Sequence, residues 1–423
     1  MFTRRTGIIG AICYGAAARA EAIGTVVTGA DDTAALSQAL DKGGLIQLEP
    51  RTYRVSAREG VPDILALKRS NTRLQGVPGS VIECDLIYDG RPQTDLALLA
   101  ISNPGNILEN ITLQGVGFRF SRKFSLRGQK PVIYAQQVRG LKMLKCNIQF
   151  GTYGTFFRQV EDFEVSDCTY QDTKADGLQG GNMGSHTLGM TIRNGQVLRN
   201  LFRRTGDDAI AFGGQLGDGW TKGGNLFISQ NDIADMNEDG GGIGLYGVSG
   251  ASITNNRIHN PASHGMAIVT DTNNKQLNND HVVASSNTIT SDKPPRRPDL
   301  VAIYLANRNT PATTSEEAGS MLNRCSISKN TIRVSDRGGI RMQLGVRYDL
   351  NPSRFPQNVE IFSNDIEYIG PQGGPFGYEG LHLERCASLA LYSNRVSRFP
   401  GGQSVLKRVL RLQSNPFPAV GPG

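Results

Sequence analysis

The feature that most constrains this chain is an asparagine that recurs within a short strand–turn–strand pattern. Successive members are separated by 25 to 43 positions, and an apolar residue follows each of them two places later. Self-similarity at a loose period of this size is typical of a solenoid in which each repeat contributes one coil. The series comprises Asn200, Asn231, Asn256, Asn287, Asn330, Asn364 and Asn394, and Cys146 and Cys168 continue it toward the N-terminus.

The segments around these asparagines have the length and the alternating character of β-strands. Stacked asparagines at one turn can donate and accept hydrogen bonds along their column, so we interpret them as structural residues. The 51 glycines and the low aromatic content of 7% suit many short strands joined by turns. The sequence therefore predicts an all-β, single-stranded parallel β-helix.

The segment before the repeats predicts a cap for this solenoid. Residues 31–44 read as a helix that begins at Asp31 or Asp32 and ends at Gly43, and two strands follow over 45–55. This combination resembles the N-terminal cap of pectate-lyase-like right-handed parallel β-helices, in which a cap covers the open strand edge of the first coil. The resemblance implies a right-handed solenoid, with the short capping helix within residues 23–60 and the β-helix over 61–423.

Residues 1–22 have the pattern of an export signal. Arg4 and Arg5 precede a mildly apolar stretch rich in glycine and alanine, and small residues suited to cleavage follow it at 18–22. The arginine pair resembles a twin-arginine signal, with ordinary secretion or an N-terminal helix of the fold as the other interpretations. The leader predicts a periplasmic or secreted bacterial protein.

Charge and composition bear on the partners. The net charge of +7 is scattered without a basic tract, which argues against nucleic acid and is compatible with an acidic polymer. No apolar run reaches transmembrane length, so no membrane insertion is expected after signal cleavage. No Cys/His metal spacing and no Rossmann context occurs, so neither a metal nor a cofactor is predicted. The sequence leaves the oligomeric state open.

Three aspartates are the strongest candidates for chemistry. Asp207 and Asp208 stand just before a strand-like segment, and Asp176 has the same place about one repeat earlier. Equivalent positions of adjacent coils lie about 4.8 Å apart, so the three carboxylates should lie close together. Mutual repulsion separates the pKa values of clustered carboxylates, which allows one to keep a proton near neutral pH. Cleavage of a glycosidic bond requires such a pair of protonated and ionised groups.

Short blocks around these residues resemble the signature blocks of the polygalacturonase family (glycoside hydrolase family 28). They are residues 174–177 (KADG), 206–211 (GDDAIA) and 263–265 (SHG), with one extra coil between the second and third. The resemblance implies that Asp208 is the general acid, that Asp176 and Asp207 hold the attacking water, that His264 assists, and that the reaction inverts the anomeric centre. The predicted function is an exported hydrolase that degrades a polysaccharide.

A second set of residues is predicted to contact the substrate. Trp220 can stack on a sugar ring or pack under its own loop, and Glu238 and Asp239 enter one coil after the aspartate pair or merely close a turn. The full set is Lys174, Arg204, Trp220, Glu238, Asp239 and Tyr246.

Two other functions remain open at this stage. A lyase that acts on a uronate polymer by β-elimination would use Lys174, His264 or Tyr246 as its base, with the nearby arginines or aspartate-held calcium neutralising the uronate. A non-catalytic polysaccharide-binding or envelope scaffold would use the long face of the solenoid instead. Its aspartates would then be turn residues or calcium ligands.

Overall fold

A computed structural model describes most of the chain. The described residues are 21–22, 31–56, 63–84, 97–121, 131–181, 192–213, 224–237, 239–271, 279–294, 299–308, 322–345, 355–371, 377–384, 386–407 and 412–413. All but the last two residues of the predicted export leader lie outside this set. Across the described residues, no helix combines the length and apolar character that a membrane crossing requires.

One helix, α1 (Thr33–Lys42), precedes the coils, as the sequence predicted. The backbone N–H of Thr33 donates to the Asp31 carboxylate (2.8 Å), which satisfies one of the free donors at the helix start. Leu36 and Leu40 are buried, and Gly43 ends the helix with a positive φ of 71°.

The strands, numbered in chain order, form three long faces in which every pairing is parallel. We call the first of these the front face. It consists of β4 (Asp63–Leu67), β7 (Ala97–Ile101), the first parts of β10 (Pro131–Leu144) and β12 (Tyr153–Ser166), β14 (Leu178–Gly180), β17 (Ile210–Gly213), β20 (Ile243–Tyr246), β23 (Met266–Asp271), β26 (Val301–Arg308), β29 (Gly338–Gly345), β32 (Leu381–Glu384) and β35 (Ser404–Lys407).

The back face belongs to the same 24-stranded sheet as the front face. It consists of β1 (Glu21–Ala22), β2 (Leu45–Gln47), β5 (Arg73–Gln75), β8 (Leu108–Gln114), the second parts of β10 and β12, β15 (Ile192–Leu198), β18 (Gly224–Ser229), β21 (Ser249–Thr254), β24 (Val283–Ser285), β27 (Ser326–Ser328), β30 (Val359–Phe362), β33 (Leu389–Tyr392) and β36 (Leu412–Gln413).

The side face is a separate 12-stranded sheet. It consists of β3 (Thr52–Val55), β6 (Val81–Cys84), β9 (Gly117–Phe120), β11 (Asn147–Gln149), β13 (Thr169–Gln171), β16 (Leu201–Arg203), β19 (Asp232–Ala234), β22 (Arg257–His259), β25 (Thr288–Ser291), β28 (Thr331–Val334), β31 (Asp365–Tyr368) and β34 (Arg395–Ser397).

The core is a stack of inward-facing side chains. In the front face the register aligns one apolar residue from each of seven successive coils, and none of them is more than 3% exposed. These residues are Leu178, Ile210, Ile243, Met266, Ile303, Ile340 and Leu381. Successive strands along the chain repeat the order front, back, side, so the predicted parallel β-helix is confirmed.

The predicted asparagine column is also confirmed, at the corner between the back and side faces. Asn231 illustrates the pattern, because its Nδ2 donates to Asn256 Oδ1 (2.9 Å) and to the Val197 carbonyl (2.9 Å). The column runs from Asn200 to Asn394 with the same contacts at each step. The residue before each asparagine has a positive φ between 54° and 60°, which turns the chain sharply.

The five cysteines among the described residues are buried, free thiols, and they do not share one position. Cys168 precedes Asn200 in the asparagine column, and its backbone N–H donates to Asn200 Oδ1 (2.9 Å). Cys325 instead directly precedes the back strand β27, whereas Cys146 and Cys168 directly precede side strands.

Candidate active site

The candidate site lies at the corner between the side and front faces, one residue before the glycine or alanine that precedes each front strand. The backbone N–H of Gly177 donates to the Asp208 carbonyl, and that of Gly242 donates to the His264 carbonyl. Together with the strand register, these bonds place Asp176, Asp208, Gly241 and His264 at equivalent positions of successive coils. We call this row the entrance column.

The carboxylates of Asp176, Asp207 and Asp208 form one cluster. An oxygen from each lies within 4.8 Å of the others, and no other described His, Cys, Asp or Glu residues form such a group. Asp207 is exposed, whereas Asp176 and Asp208 are only 5% and 7% exposed. Asp176 and Asp208 therefore lie inside the corner, and only Asp207 is open to solvent.

Asp208 sits in a space made by the next coil. The hydroxyl of Tyr246 donates to Asp208 Oδ2 (2.7 Å), and the backbone N–H of Gly241 donates to the same carboxyl group. A Cβ at Gly241 would collide with Asp208 Oδ1, and a Cβ at Gly244 would collide with Asp208 Oδ2 and the Tyr246 ring. Only glycine at these two positions leaves room for the carboxyl group as it stands.

The pKa values of the three aspartates are all raised. Burial, and then the charge of Asp207, raise the pKa of Asp208 to about 7, against the opposing effect of the Tyr246 and Gly241 donors. Burial, with the charges of Asp207 and Asp208, raises the pKa of Asp176 well above its usual range. Partial burial raises the pKa of Asp207, the backbone N–H of Asp208 lowers it, and the charge of Asp239 raises it again. One carboxyl group can thus hold a proton near neutral pH.

Tyr153 was not predicted from the sequence. It occupies the entrance column one coil before Asp176, since the backbone N–H of Gly154 donates to the Asp176 carbonyl. Burial and the charges of Asp176 and Asp207 raise the pKa of Tyr153 to about 12, so its phenol is neutral. The signal in the sequence was the Tyr-Gly pair at 153–154, which matches Asp-Gly at 176–177 one repeat later.

His264 stands two coils beyond Asp208, which corresponds to about 10 Å along the solenoid. Its ring stacks on Tyr304, with centroids 4.6 Å apart. Nδ1 of His264 lies 3.3 Å from the Val301 carbonyl oxygen and 3.4 Å from the Val301 nitrogen, so a backbone group of Val301 engages this nitrogen in either tautomer. Gly241 of the intervening coil separates His264 from Asp208.

The other residues predicted from the sequence are scattered around the cluster. Asp239 is exposed and close enough to influence Asp207, and Lys174 is exposed on the turn before Asp176. Arg204 forms a two-pronged ion pair with Asp172 (2.8 and 2.9 Å) on the outer side of its turn. Trp220 and Glu238 lie outside the described residues.

The outward-facing residues of the front face extend the site along the solenoid. The register aligns Tyr134, Phe156, Gln179, Ala211, Gly244, Ala267, Tyr304, Arg341 and His382 in one row. The row is bulky at both ends and small at Ala211, Gly244 and Ala267, beside the aspartates. This small middle section leaves space for the side chains of Asp208 and Tyr246.

The aspartate cluster is also the place where a cation could be shared. Calcium takes six to eight oxygen ligands, and the three carboxylates would supply only part of that number. A proton on one carboxyl group would reduce the repulsion among the three carboxylates without a cation. The pKa of about 7 at Asp208 makes that group a candidate to hold the proton near neutral pH.

No protein-family model matches the chain, and no curated protein matches it. Solved structures do match. The catalytic domain of a family 87 α-1,3-glucanase in complex with tetrasaccharides is 13% identical with a TM-score of 0.63, covering 92% of this chain and 66% of its own. The chain thus spans about two thirds of that structure.

Two further structures are similar at the level of the fold. The family 28 exopolygalacturonase of Yersinia enterocolitica is 14% identical with a TM-score of 0.63, covering 95% of this chain and 80% of its own. The A-module of the mannuronan C-5 epimerase of Azotobacter vinelandii is 12% identical with a TM-score of 0.55, covering 93% and 96%. These proteins are right-handed parallel β-helices, and the chain shares that fold.

Proposed function

We propose that this protein is a glycoside hydrolase that cleaves a polysaccharide by acid/base catalysis with Asp176, Asp207 and Asp208. The observation that carries the proposal is a cluster of three carboxylates within 4.8 Å in which Asp208 has a pKa of about 7. Hydrolysis of a glycosidic bond requires one protonated and one ionised carboxyl group side by side. The similarity to glucanase and exopolygalacturonase folds supports a sugar polymer as the substrate class.

The roles follow from the environments of the carboxyl groups. Asp208 donates its proton to the glycosidic oxygen as the bond to the anomeric carbon breaks. Asp207, the exposed member, accepts a proton from the water whose oxygen attacks that carbon, and Asp176 helps to hold this water. Tyr246 and Gly241 stabilise the carboxylate that Asp208 becomes, because both donate hydrogen bonds to it.

The stereochemical outcome is a separate question. Inverting glycosidases usually keep the two carboxyl groups about 6.5–9.5 Å apart, and retaining ones about 5–5.5 Å. Activation of the attacking water by Asp207 corresponds to inversion, as the resemblance to polygalacturonases implies, although one oxygen of each carboxyl group lies within 4.8 Å of the others. The anomer first released from substrate, followed by NMR, distinguishes the two outcomes.

Elimination is the less favoured chemistry for this site. A lyase needs a base that is unprotonated near physiological pH, so that it can remove a proton from the substrate. Burial and the charge of Asp208 raise the pKa of Tyr246 well above its usual range, and its hydroxyl already donates to Asp208. Tyr246 is thus poorly suited to remove a proton, and His264 stands two coils from the aspartate pair.

A panel of neutral and acidic polysaccharides tests the proposal. New reducing ends without ultraviolet absorbance indicate hydrolysis, reducing ends with absorbance from an unsaturated product indicate elimination, and neither favours the scaffold. On the substrate that is cleaved, Asp208→Asn should abolish most of the turnover. Asp167→Asn is the matched control, since Asp167 pairs with Arg199 on an exposed turn of the opposite corner. Full activity of Asp208→Asn would rule out the assigned acid.

We also propose that the leader directs export by the twin-arginine route. The support is the Arg4–Arg5 pair before a weakly apolar stretch. Replacing both arginines with lysine should leave the protein in the cytoplasm when fractions are compared by immunoblot. Normal export of that double variant would favour the ordinary secretory route.

A further inference from the structure

The coil between the aspartate pair and His264 contacts Asp208 directly. The front-face part of this coil runs from Gly240–Gly242 through β20 to Tyr246. Gly241 and Gly244 leave the space that the Asp208 carboxyl group occupies, and Tyr246 donates to its Oδ2 at 2.7 Å. Relative to the polygalacturonase blocks that the sequence resembles, this coil is the extra one.

The ring of Tyr246 is held in place independently of Asp208. It packs against a small apolar cluster on the outer side of the front face, formed by Ala267, Val269 and Ala306, each no more than 8% exposed. A ring fixed by packing holds its hydroxyl at one position. The direction of the hydrogen bond to Asp208 is thereby fixed as well.

We propose that Tyr246 is the positioning residue of the general acid: it acts through Asp208, whose carboxyl group it orients within the glycine-lined space of the inserted coil. This inference rests on the proposed role of Asp208 and replaces the substrate-binding role that the sequence suggested for Tyr246. With Oδ2 engaged by the tyrosine, the group cannot rotate freely. The proton of the carboxyl group is therefore presented in one direction.

The test begins with Tyr246→Phe, which removes the hydroxyl and keeps the ring. Hydrogen bonds to charged groups typically contribute enough that kcat should fall about 10- to 100-fold, with KM changed less than about 2-fold. Tyr392→Phe is the matched control, because Tyr392 stacks on Phe362 at the far end of the back face, with centroids 4.8 Å apart. The control should keep both constants.

A double-mutant cycle asks whether Tyr246 acts through Asp208. In the Asp208→Asn background, Tyr246→Phe should cost little further activity, because the group it orients is already gone. An equal loss in both backgrounds would show that Tyr246 acts independently and would overturn the inference. A rise in KM alone would also overturn it, because that result belongs to a substrate contact.

Gly244→Ala approaches the same space from the opposite side. Its added methyl group collides with Asp208 Oδ2 and the Tyr246 ring, so it should lower kcat in the same way while the hydroxyl is kept. This variant keeps the inference testable if Tyr246→Phe folds poorly, which thermal unfolding of each variant reveals. Full activity of the Asp208→Asn variant would contradict the proposed function. Loss of activity in Asp208→Asn together with a normal kcat in both Tyr246→Phe and Gly244→Ala would contradict only the role of Tyr246.

Discussion

Two corners of the same solenoid bury rows of short polar side chains, which are asparagines at one corner and aspartates at the other. At the corner between the back and side faces, Asn231, Asn256, Asn287 and Asn330 are no more than 1% exposed. At the corner between the side and front faces, Asp176 and Asp208 are almost as deeply buried. The two side chains differ in shape only by an amide nitrogen in place of an oxygen.

That one atom decides the energetics of each row. An amide both donates and accepts, so a column of identical asparagines satisfies itself and the neighbouring backbone at every step. An ionised carboxylate only accepts, so burial of the aspartates, and then their mutual repulsion, raise their pKa values. The asparagine corner therefore stabilises the fold, whereas the aspartate corner costs stability and is suited to proton transfer.

Exchanging carboxylate for amide in the aspartate corner should have the largest effect. Asp208→Asn keeps the shape of the side chain but removes the acid, and loss of a general acid typically costs about 10²–10⁴-fold in rate. Steady-state turnover of variant and parent on the cleaved polysaccharide measures the effect. Near-parental turnover would mean that Asp208 is not the general acid and that the aspartate corner is not specialised for proton transfer.

A third arrangement of buried charge tests whether pairing matters. Asp336 and Arg337 are fully buried; the guanidinium binds Asp336 (2.7 and 2.8 Å) and the carbonyls of Pro261 (2.6 Å) and Ser263, just before His264. Arg337→Leu leaves the buried Asp336 carboxylate without its charged partner, so it should lower the free energy of unfolding by about 3–5 kcal/mol. Urea unfolding measures it.

The matched variant for that experiment replaces both partners. Asp336→Leu combined with Arg337→Leu removes the buried charge altogether, so it should recover part of the loss. A stability of the Arg337→Leu variant within about 1 kcal/mol of the parent would show that Asp336 tolerates burial without a charged partner.

The aspartate corner should also make stability depend on pH. A carboxyl group whose pKa is raised in the folded state binds its proton more tightly when folded, so stability is greatest in acid and falls as pH rises through the folded pKa. For Asp208, raised from 3.8 to about 7, the loss between pH 4 and pH 8 is on the order of 4 kcal/mol. The difference in unfolding free energy between parent and Asp208→Asn isolates this contribution, and a difference independent of pH would contradict it.

The reverse exchange in the asparagine corner should also cost stability. Asn287→Asp replaces an Nδ2 that donates to the Ile253 carbonyl and to Asn330 Oδ1 with an oxygen that cannot donate. Two lost hydrogen bonds and a buried charge without a partner should together cost about 3–5 kcal/mol at pH 7.5. The cost should shrink at pH 4.5, because protonation of the raised-pKa carboxyl group restores a donor.

Asn110→Asp serves as the control for that exchange, since Asn110 is exposed within β8, where its Nδ2 donates to Asn71 Oδ1. It should change stability by less than about 0.5 kcal/mol. Equal effects of the two substitutions would mean that the buried ladder contributes nothing beyond an exposed turn residue.

The sequence predicted much of the fold because a solenoid is close to one-dimensional. Each coil contacts mainly its neighbours, so an asparagine recurring before an apolar residue is enough to assign the corner, and Asp-Gly at 176–177 with Asp-Ala at 208–209 assigns the opposite one. The same logic could have found Tyr153, which holds the equivalent place one coil earlier.

The repeat pattern alone determined which residues share a corner, because register in a parallel stack follows from local strand signals. Only the tertiary structure decided what those residues meet. Several features depend on contacts between side chains of one coil and residues of another. They are the burial of Asp208, the hydrogen bond from Tyr246, the space at Gly241 and Gly244, and the hydrogen bond from Arg337 to the Pro261 carbonyl. Such contacts have no period in the sequence, since they are set by side-chain length and packing rather than by position in the repeat.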